Sequence, residues 1–222
     1  MQKLVVFDLD GTLFDTLDDL TYYVNQAIIK FGYNEIDRSV TRKHVCAKSK
    51  EFLRLCMGEE DVDNPIIDQC HAYYSEQYKN SGSPRTKYYE HVEEVVFALK
   101  NAGYKIAIYT NKTQEQTDVI IKNHAKEGTY DLVVGQKQGV VGKPDPSELF
   151  KIMDYFKVNK ENTFFVGDGD TDVLAGLRAG VNLIAVTYGY RDKEDLKALG
   201  ATVFADNALD VYRIITGKNF NE

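Results

Sequence analysis

The chain has 222 residues, of which 43% are apolar, and its formal net charge is −7 at neutral pH. This length and composition allow a real hydrophobic core, which excludes a disordered chain and suits one domain with a small insertion. The acidic balance disfavours nucleic acid as a partner, because binding a phosphate backbone requires a basic face.

Two further features bear on the cell compartment. The N-terminal apolar run before the first aspartate is too short for a secretory signal or a membrane span. The cysteines Cys46, Cys56 and Cys70 are odd in number and show no Cys-x-x-Cys spacing, which argues against disulfides, structural zinc and a redox motif. We expect a cytoplasmic protein with no membrane partner, and the sequence predicts no oligomeric state.

The first predicted element is a strand that ends in two carboxylates. Apolar residues 5–7 lead into Asp8 and Asp10, and Gly11 then allows a sharp turn. Because side chains at i and i+2 leave a strand on one face, the two carboxylates can converge at the sheet edge. Like charges so close repel unless a cation or a proton lies between them. The pair predicts a Mg²⁺ site beside a nucleophile; the alternative is an acidic turn after a buried strand.

Residues 16–83 show no strand-like alternation, and their pattern predicts helices. Pro65 follows Asn64 as the first residue of a helix follows its cap, and an apolar stripe at helical spacing ends at Gly32. The stripe consists of Leu17, Leu20, Val24, Ala27, Ile28 and Phe31. We expect this block to be an insertion between the first and second strands of the core.

After Pro84 the pattern alternates between strands and helices, which predicts a parallel sheet covered on both faces. The predicted fold class is α/β, a doubly wound parallel sheet with a Rossmann-like core and a helical cap domain inserted after the first strand. We expect residues 1–15 and 84–222 to form the core and residues 16–83 to form the cap.

Three more strand-like runs lead into polar clusters. Thr110-Asn111-Lys112 follows the run at 105–109, Lys143-Pro144 lies in the loop beyond 132–134, and Gly167-Asp168 follows the run at 163–166. Ligands of open α/β sheets bind at the carboxyl ends of the strands. The clusters therefore bring a hydroxyl group, a cation and further carboxylates to the edge where Asp8 and Asp10 lie.

In this order the motifs resemble those of the haloacid dehalogenase superfamily, and the resemblance covers nearly the whole chain. Each motif alone is weak, but four in order are specific. They are Asp8-Leu9-Asp10-Gly11-Thr12, Thr110-Asn111, Lys143-Pro144, and Gly167-Asp168 with Asp172 four residues later. The resemblance implies phosphoryl transfer through an aspartyl-phosphate, with the helical block as a cap that closes over the site on hinges near residues 15–16 and 81–84.

The resemblance also implies a role for each motif residue. Asp8 is the expected nucleophile and Asp10 the expected general acid and base. Mg²⁺ is expected on Asp8, on the backbone carbonyl of Asp10 and on Asp168, with Asp172 orienting that shell.

The remaining motif residues are expected to bind the phosphoryl group. Thr110 and the backbone N–H of Asn111 would hold its oxygens, and Lys143 would offset the developing charge. Taken singly, each motif has a structural alternative: Thr110 as a helix cap, Lys143 as a loop lysine and Asp168 as a turn residue.

An acid at position 10 favours phosphate ester chemistry, because the family pattern of dehalogenases and phosphonoacetaldehyde hydrolases lacks it. Among capped relatives the chain looks most like phosphoglycolate phosphatases and the related pyrophosphatases. The expected function is a Mg²⁺-dependent phosphatase that hydrolyses a small phosphorylated metabolite, a phosphoglycolate-like phosphomonoester. The open alternatives are an inorganic pyrophosphatase, a phosphosugar mutase of the β-phosphoglucomutase type, a phospho-accepting receiver module and a binding protein without activity.

One segment of the predicted cap concentrates positive charge. Residues 38–54 contain six basic residues against a single acid, Glu51. Such a run is usually a solvated helix face. If one of these cations faces the site, it would contact a second anionic group of the substrate. The expected candidate is Lys48, in the short link Ala47-Lys48-Ser49, where a cap of this family presents its specificity loop to the core.

Overall fold

The computed structural model of the chain describes residues 2–139 and 141–220. In these residues the strands, in chain order, are β1 (Lys3–Phe7), β2 (Phe14–Asp15), β3 (Lys87–Tyr88), β4 (Tyr104–Thr113), β5 (Leu132–Gln136), β6 (Thr163–Gly167), β7 (Asn182–Val186) and β8 (Phe204–Ala205). Six of them form one sheet in the order β5-β4-β1-β6-β7-β8, with all neighbours parallel. The predicted doubly wound parallel sheet is confirmed.

Helices follow β1 along the chain, between the later strands and after the last one. They are α1 (Leu17–Lys30), α2 (Arg38–His44), α3 (Ser49–Met57), α4 (Pro65–Asn80), α5 (Val92–Asn101), α6 (Gln114–His124), α7 (Ser147–Phe156), α8 (Asp170–Ala179), α9 (Lys193–Ala198) and α10 (Ala208–Thr216), with a short 3₁₀ turn at Lys160–Asn162. Within the described ranges, no helix has both the length and the apolar character that a membrane span requires.

Strand β1 lies at the centre of the sheet and packs on both faces. Val5 and Phe7 belong to the larger cluster of buried side chains, whereas Leu4 and Val6 belong to a second cluster on the opposite face. A strand buried on both faces has a continuous apolar sequence, because neither set of alternating side chains meets solvent. Strand order reverses direction between β1 and β6, so the ends of these strands flank the crevice where such sheets bind ligands.

The predicted helical insertion is present as α1 to α4, between β1 and β4. Where it leaves and re-enters the core, β2 pairs antiparallel with β3. Five residues of the predicted stripe in α1 are buried, and Phe31, just beyond the helix, is partly buried. Pro65 begins α4, and the Asn64 side chain accepts the backbone N–H of Ile66 as a cap. Local sequence signals therefore predict these two helix boundaries correctly.

A buried carboxylate joins the two ends of the insertion. Asp19 in α1 is 0% exposed. Its Oδ2 accepts the backbone N–H of Arg85 at 2.9 Å and the Thr86 hydroxyl at 2.8 Å. The Arg85 guanidinium also approaches Asp19 Oδ1 at 3.4 Å. Asp19 thus ties the first helix of the insertion to the segment that returns to the core.

We predict that Asp19→Ala lowers the free energy of unfolding by about 1.5–3 kcal/mol, because it leaves buried donors without their charged acceptor. The matched control is Asp18→Ala, since Asp18 is exposed and, among the described residues, pairs only with Arg38, in an exposed ion pair. That control should cost less than about 1 kcal/mol. Urea unfolding of both variants measures the difference, and equal small losses would contradict the anchoring role of Asp19.

Candidate active site

The first two carboxylates follow β1 directly. The backbone N–H of Asp8 donates to Val166 of β6 at 2.9 Å, so Asp8 is held by the sheet and is itself buried. The chain then turns at Gly11, whose φ is +86°. A Cβ atom at Gly11 would overlap the Asp168 carboxylate. Glycine is therefore required here both for the backbone conformation and for the close approach of the two loops.

Three buried carboxylates converge at this edge of the sheet. Asp8, Asp168 and Asp172 each place one oxygen within 4.8 Å of the others. Burial, and next the charge of Asp172, raise the pKa of Asp8 to about 7. Burial and the charges of Asp8 and Asp172 raise the pKa of Asp168 well above its ordinary value. Such a set of oxygen ligands suits a hard divalent cation, which would offset both the burial and the mutual repulsion that raise these pKa values.

Lys143 supplies positive charge to this cluster. Its side chain is 2% exposed, and its Nζ lies 2.6 Å from both Asp8 Oδ1 and Asp172 Oδ1. Burial alone would lower the pKa of Lys143, but the charges of Asp172 and Asp8 raise it above its ordinary value. The ammonium group therefore stays protonated beside the expected nucleophile.

Neutral donors fix the orientation of Asp168. The Thr12 hydroxyl donates to its Oδ1 at 3.1 Å, and the backbone N–H of Tyr190 donates to its Oδ2 at 2.7 Å. A Cβ atom at Gly189 would overlap both Asp168 and the backbone oxygen of Gly11. The sequence analysis did not predict Tyr190 as a site residue. Its backbone N–H contacts Asp168, and a backbone contact does not depend on the residue type that the sequence shows.

Asp172 is oriented from two sides. Its Oδ2 accepts the backbone N–H of Gly169 at 2.9 Å, while its Oδ1 contacts Lys143. The first contact holds the carboxylate at the start of α8, and the second directs it toward the cluster. This geometry is compatible with the orienting role that the family resemblance implies.

The second motif, Thr110-Asn111, lies beside Asp8, and its two side chains make different kinds of contact. Thr110 is 3% exposed, and its hydroxyl accepts the backbone N–H of Lys112 at 3.2 Å. The Asn111 side-chain amide donates to the backbone oxygens of Lys143 at 3.0 Å and Cys46 at 3.4 Å. The Asn111 side chain therefore links the Lys143 loop to the insertion, a structural contact that sequence reasoning did not anticipate.

The site consists of two adjoining cavities. One is lined by Asp8, Thr110, Lys143 and Asp172 among others. The second lies against the insertion and is lined by residues that include Leu20, Ser49, Phe52, Tyr74 and Gln116. Asp10 and Lys112 line both cavities. Asp10 thus lies where a group bound in the first cavity would continue into the second.

Lys112 is the main residue that sequence reasoning missed. Its side chain is 3% exposed, and its Nζ lies 3.1 Å from each carboxylate oxygen of Asp10. Strand periodicity could have indicated Lys112. Thr110 and Lys112 are two residues apart, as Asp8 and Asp10 are, so their side chains leave the strand on the same face.

Lys48 is not among the residues that line either cavity. Its neighbours Val45, Ala47 and Ser49 line the second cavity, whereas the Lys48 side chain is exposed.

Reciprocal arginine contacts hold the insertion against the core. Arg191 donates to the backbone oxygens of Arg42 at 3.0 Å and Lys43 at 2.8 Å, at the end of α2. Arg42 in turn donates to the backbone oxygen of Tyr190 at 2.8 Å. Since the backbone N–H of Tyr190 contacts Asp168, these contacts connect the position of the insertion to the carboxylate cluster.

Comparison with known proteins agrees with this geometry. Residues 5–186 match the sequence model of the family described as haloacid dehalogenase-like hydrolase. The chain belongs to this family. The match covers the four motifs and most of the sheet, so the family resemblance expected from the sequence is confirmed.

Individual relatives are similar over most of their length. The chain is 26% identical over 212 residues to a phosphoglycolate phosphatase of Psychrobacter arcticus, covering 93% of this chain and 92% of that protein. It is 29% identical over 220 residues to phosphoglycolate phosphatase 1 of Pseudomonas aeruginosa, covering 95% and 79%. A solved structure from Lactobacillus delbrueckii subsp. bulgaricus has a TM-score of 0.90 at 23% identity, covering 98% and 100%, and shows the same fold.

We predict that Mg²⁺ raises the melting temperature of the chelator-treated protein, because a ligand that binds only the folded state stabilises it by about 2.7 kcal/mol at 100 times its Kd. Asp168→Asn should abolish this stabilisation. Asp154→Asn, which changes an exposed carboxylate of α7, serves as the control and should retain it. A melting temperature of the unaltered protein that does not respond to Mg²⁺ would contradict a metal centre at this cluster.

Proposed function

We propose that the chain is a Mg²⁺-dependent phosphatase that hydrolyses a small phosphomonoester through an aspartyl-phosphate on Asp8. The observation that carries the proposal is the position of Asp10 at the junction of two cavities, with Asp8 and Lys143 lining the first. In this proposal the phosphoryl group binds in the first cavity and the rest of the substrate extends into the second. Asp10 then lies beside the oxygen at which the ester bond breaks.

In the first cavity, Asp8 attacks the phosphoryl group. Thr110 and the backbone N–H of Asn111 bind its oxygens, and Lys143 offsets the charge that develops during transfer. Asp8, Asp168 and the backbone carbonyl of Asp10 would hold Mg²⁺, which supplies charge neutralisation and alignment of the phosphoryl group when bound. The contacts of Asp172 with Gly169 and Lys143 keep this arrangement in place.

At the junction, Asp10 acts as general acid and then as general base. It gives a proton to the leaving oxygen and later takes one from the water that hydrolyses the aspartyl-phosphate. The Thr16 hydroxyl donates to Asp10 Oδ1 at 2.5 Å, and Lys112 contacts both of its oxygens. These contacts fix the carboxylate direction, which is the condition for proton transfer to a defined atom.

The substrate is small, and we propose 2-phosphoglycolate. Core and insertion residues both line the second cavity, so the leaving group must fit between them. The name of the similar proteins from Psychrobacter arcticus and Pseudomonas aeruginosa supports the same substrate. Nucleic acid remains disfavoured by the acidic net charge.

The function is tested by phosphate release from a panel of compounds in the presence of Mg²⁺. The panel contains 2-phosphoglycolate, pyrophosphate, hexose phosphates and an aryl phosphate, so that it covers the pyrophosphatase and mutase alternatives. We expect the highest kcat/KM for 2-phosphoglycolate. Preferred pyrophosphate cleavage, or isomerisation of a hexose phosphate without net phosphate release, would replace the proposal. A protein that turns over none of these compounds would leave the receiver or binding alternatives.

Substitution of the two aspartates at the end of β1 should impair different steps of the reaction. Asp8→Asn removes the nucleophile, so activity should fall at least about ten-thousandfold and no phosphoenzyme should form. Asp10→Asn keeps the nucleophile, so an aryl phosphate, whose leaving group needs no proton, should still phosphorylate the enzyme. That phosphoenzyme should hydrolyse slowly. Rapid quench with radiolabelled substrate measures both steps, and hydroxylamine-sensitive label on Asp8→Asn would show that the roles are wrong.

Two broader expectations complete the proposal. The division into a core of residues 1–15 and 84–222 and a cap of residues 16–83 remains a prediction, since one cluster of buried side chains includes residues of both parts. A cytoplasmic location is also proposed. It is supported by the cysteines Cys46, Cys56 and Cys70, which are all free thiols.

A further inference from the structure

The second cavity contains a buried cation. Among the described residues that line it, Lys112 alone is basic. Asp10 uses two of the three N–H donors of this ammonium group, and the Tyr78 ring centroid lies 4.6 Å from Nζ. A buried cation is tolerated where such partners compensate for lost water. Lys112 therefore places its ammonium group in the wall of the cavity, beside the proposed general acid.

An amide without a partner lies in the same wall. Gln116, in the first turn of α6, is 2% exposed, and its Nε2 is buried with no hydrogen-bond partner in the part of the chain that the structure describes. The Thr113 hydroxyl accepts the backbone N–H of Gln116 at 3.3 Å, which fixes where the side chain begins. A buried amide nitrogen carries two N–H donors and is costly to leave unsatisfied. Gln116 lines this cavity and also a neighbouring one beside Gln114 and Lys137, and an acceptor bound in the former would satisfy the amide.

We propose that Lys112 and Gln116 form a second anion subsite, which binds a carboxylate on the leaving group of the substrate. This inference rests on the proposed function, because the phosphoryl group in the first cavity sets which end of the substrate enters the second. Both side chains offer N–H donors, so a group with acceptors only, such as a carboxylate, matches them better than a hydroxyl. Leu20, Phe52 and Tyr74 form apolar walls that limit its size.

The position of Lys112 limits how far the carboxylate lies from the ester oxygen. Asp10 must lie within a hydrogen bond of that oxygen in order to protonate it. Lys112 Nζ is 3.1 Å from the same Asp10 carboxylate. A carboxylate on Lys112 is then separated from the ester oxygen by three hydrogen bonds in series, which together span at most about 9 Å. The subsite therefore sets an upper limit on the length of the phosphoryloxy carboxylate.

The test compares two substrates of equal length, 2-phosphoglycolate and ethyl phosphate, in which a methyl group replaces the carboxylate. The readout is the ratio of their kcat/KM values, because a defect transmitted through Asp10 lowers both and cancels. Lys112→Met should lower the ratio about tenfold to a hundredfold, mainly because KM rises for the substrate that carries the carboxylate. Gln116→Leu, which does not touch Asp10, should lower it by a smaller factor and keeps the test valid if Lys112→Met does not fold.

Two further variants serve as controls. Lys122→Met makes the same change at an exposed position of α6 and should leave the ratio unchanged. Lys48→Ala tests the cation expected from the sequence. Loss of selectivity in Lys48→Ala with none in Lys112→Met would overturn the inference, as would equal losses on both substrates in Lys112→Met and Gln116→Leu. If the unaltered protein hydrolyses other esters but not 2-phosphoglycolate, the subsite is wrong while phosphatase activity stands. If it hydrolyses no ester, both proposals fail.

Discussion

Buried negative charge at one edge of the sheet is the constraint on which the site depends. Asp8, Asp168 and Asp172 are buried within 4.8 Å of one another, and Lys143 contacts only the first and the last. Asp168 receives neutral donors, from Thr12 and the backbone of Tyr190. One ammonium group cannot neutralise three carboxylates. The remaining repulsion suits the cluster to a bound metal ion, which would account for such a costly group of charges lying together.

Packing these charges so closely also determines the backbone around them. Gly11 and Gly189 both approach Asp168 so closely that a side chain at either position would overlap it. The segment that carries Gly189 continues through Tyr190 to Arg191, which contacts the insertion. The same loop thus completes the carboxylate cluster and docks α2. Charge burial and the position of the insertion are therefore linked through a few backbone contacts.

Much of this arrangement could be predicted because its signals are local. The apolar run of β1, the stripe of α1 and the Asn64-Pro65 helix start each lie within a short window of sequence, and all three are confirmed. The four motifs could be placed at one edge because parallel strands end together. Their order along the chain sufficed for the family assignment, which the match over residues 5–186 confirms.

Contacts between distant segments could not be predicted in the same way. Lys112 meets Asp10 because β4 lies beside β1, a pairing that no local pattern of either segment specifies. The side chain of Asn111 contacts Cys46 in the insertion, again across a large separation. Lys48 lies in a link between helices that has no periodicity, so its position along the chain indicated proximity but not side-chain direction.

The two cavities differ in how much of their lining comes from the motifs of the family and how much comes from the insertion. The first cavity is lined mainly by residues of the family motifs, together with Val45 and Cys46 of the insertion, whereas the second takes more of its lining from the insertion, including Phe52 and Tyr74. Its walls therefore come from both sides and are complete only while the insertion contacts the core. If the insertion moves on the hinges that the family resemblance implies, contacts to the leaving group would strengthen as it closes, and closure would remove water from the reacting phosphoryl group. In such an arrangement, the part of the substrate that does not react controls when the catalytic carboxylates are shielded from water.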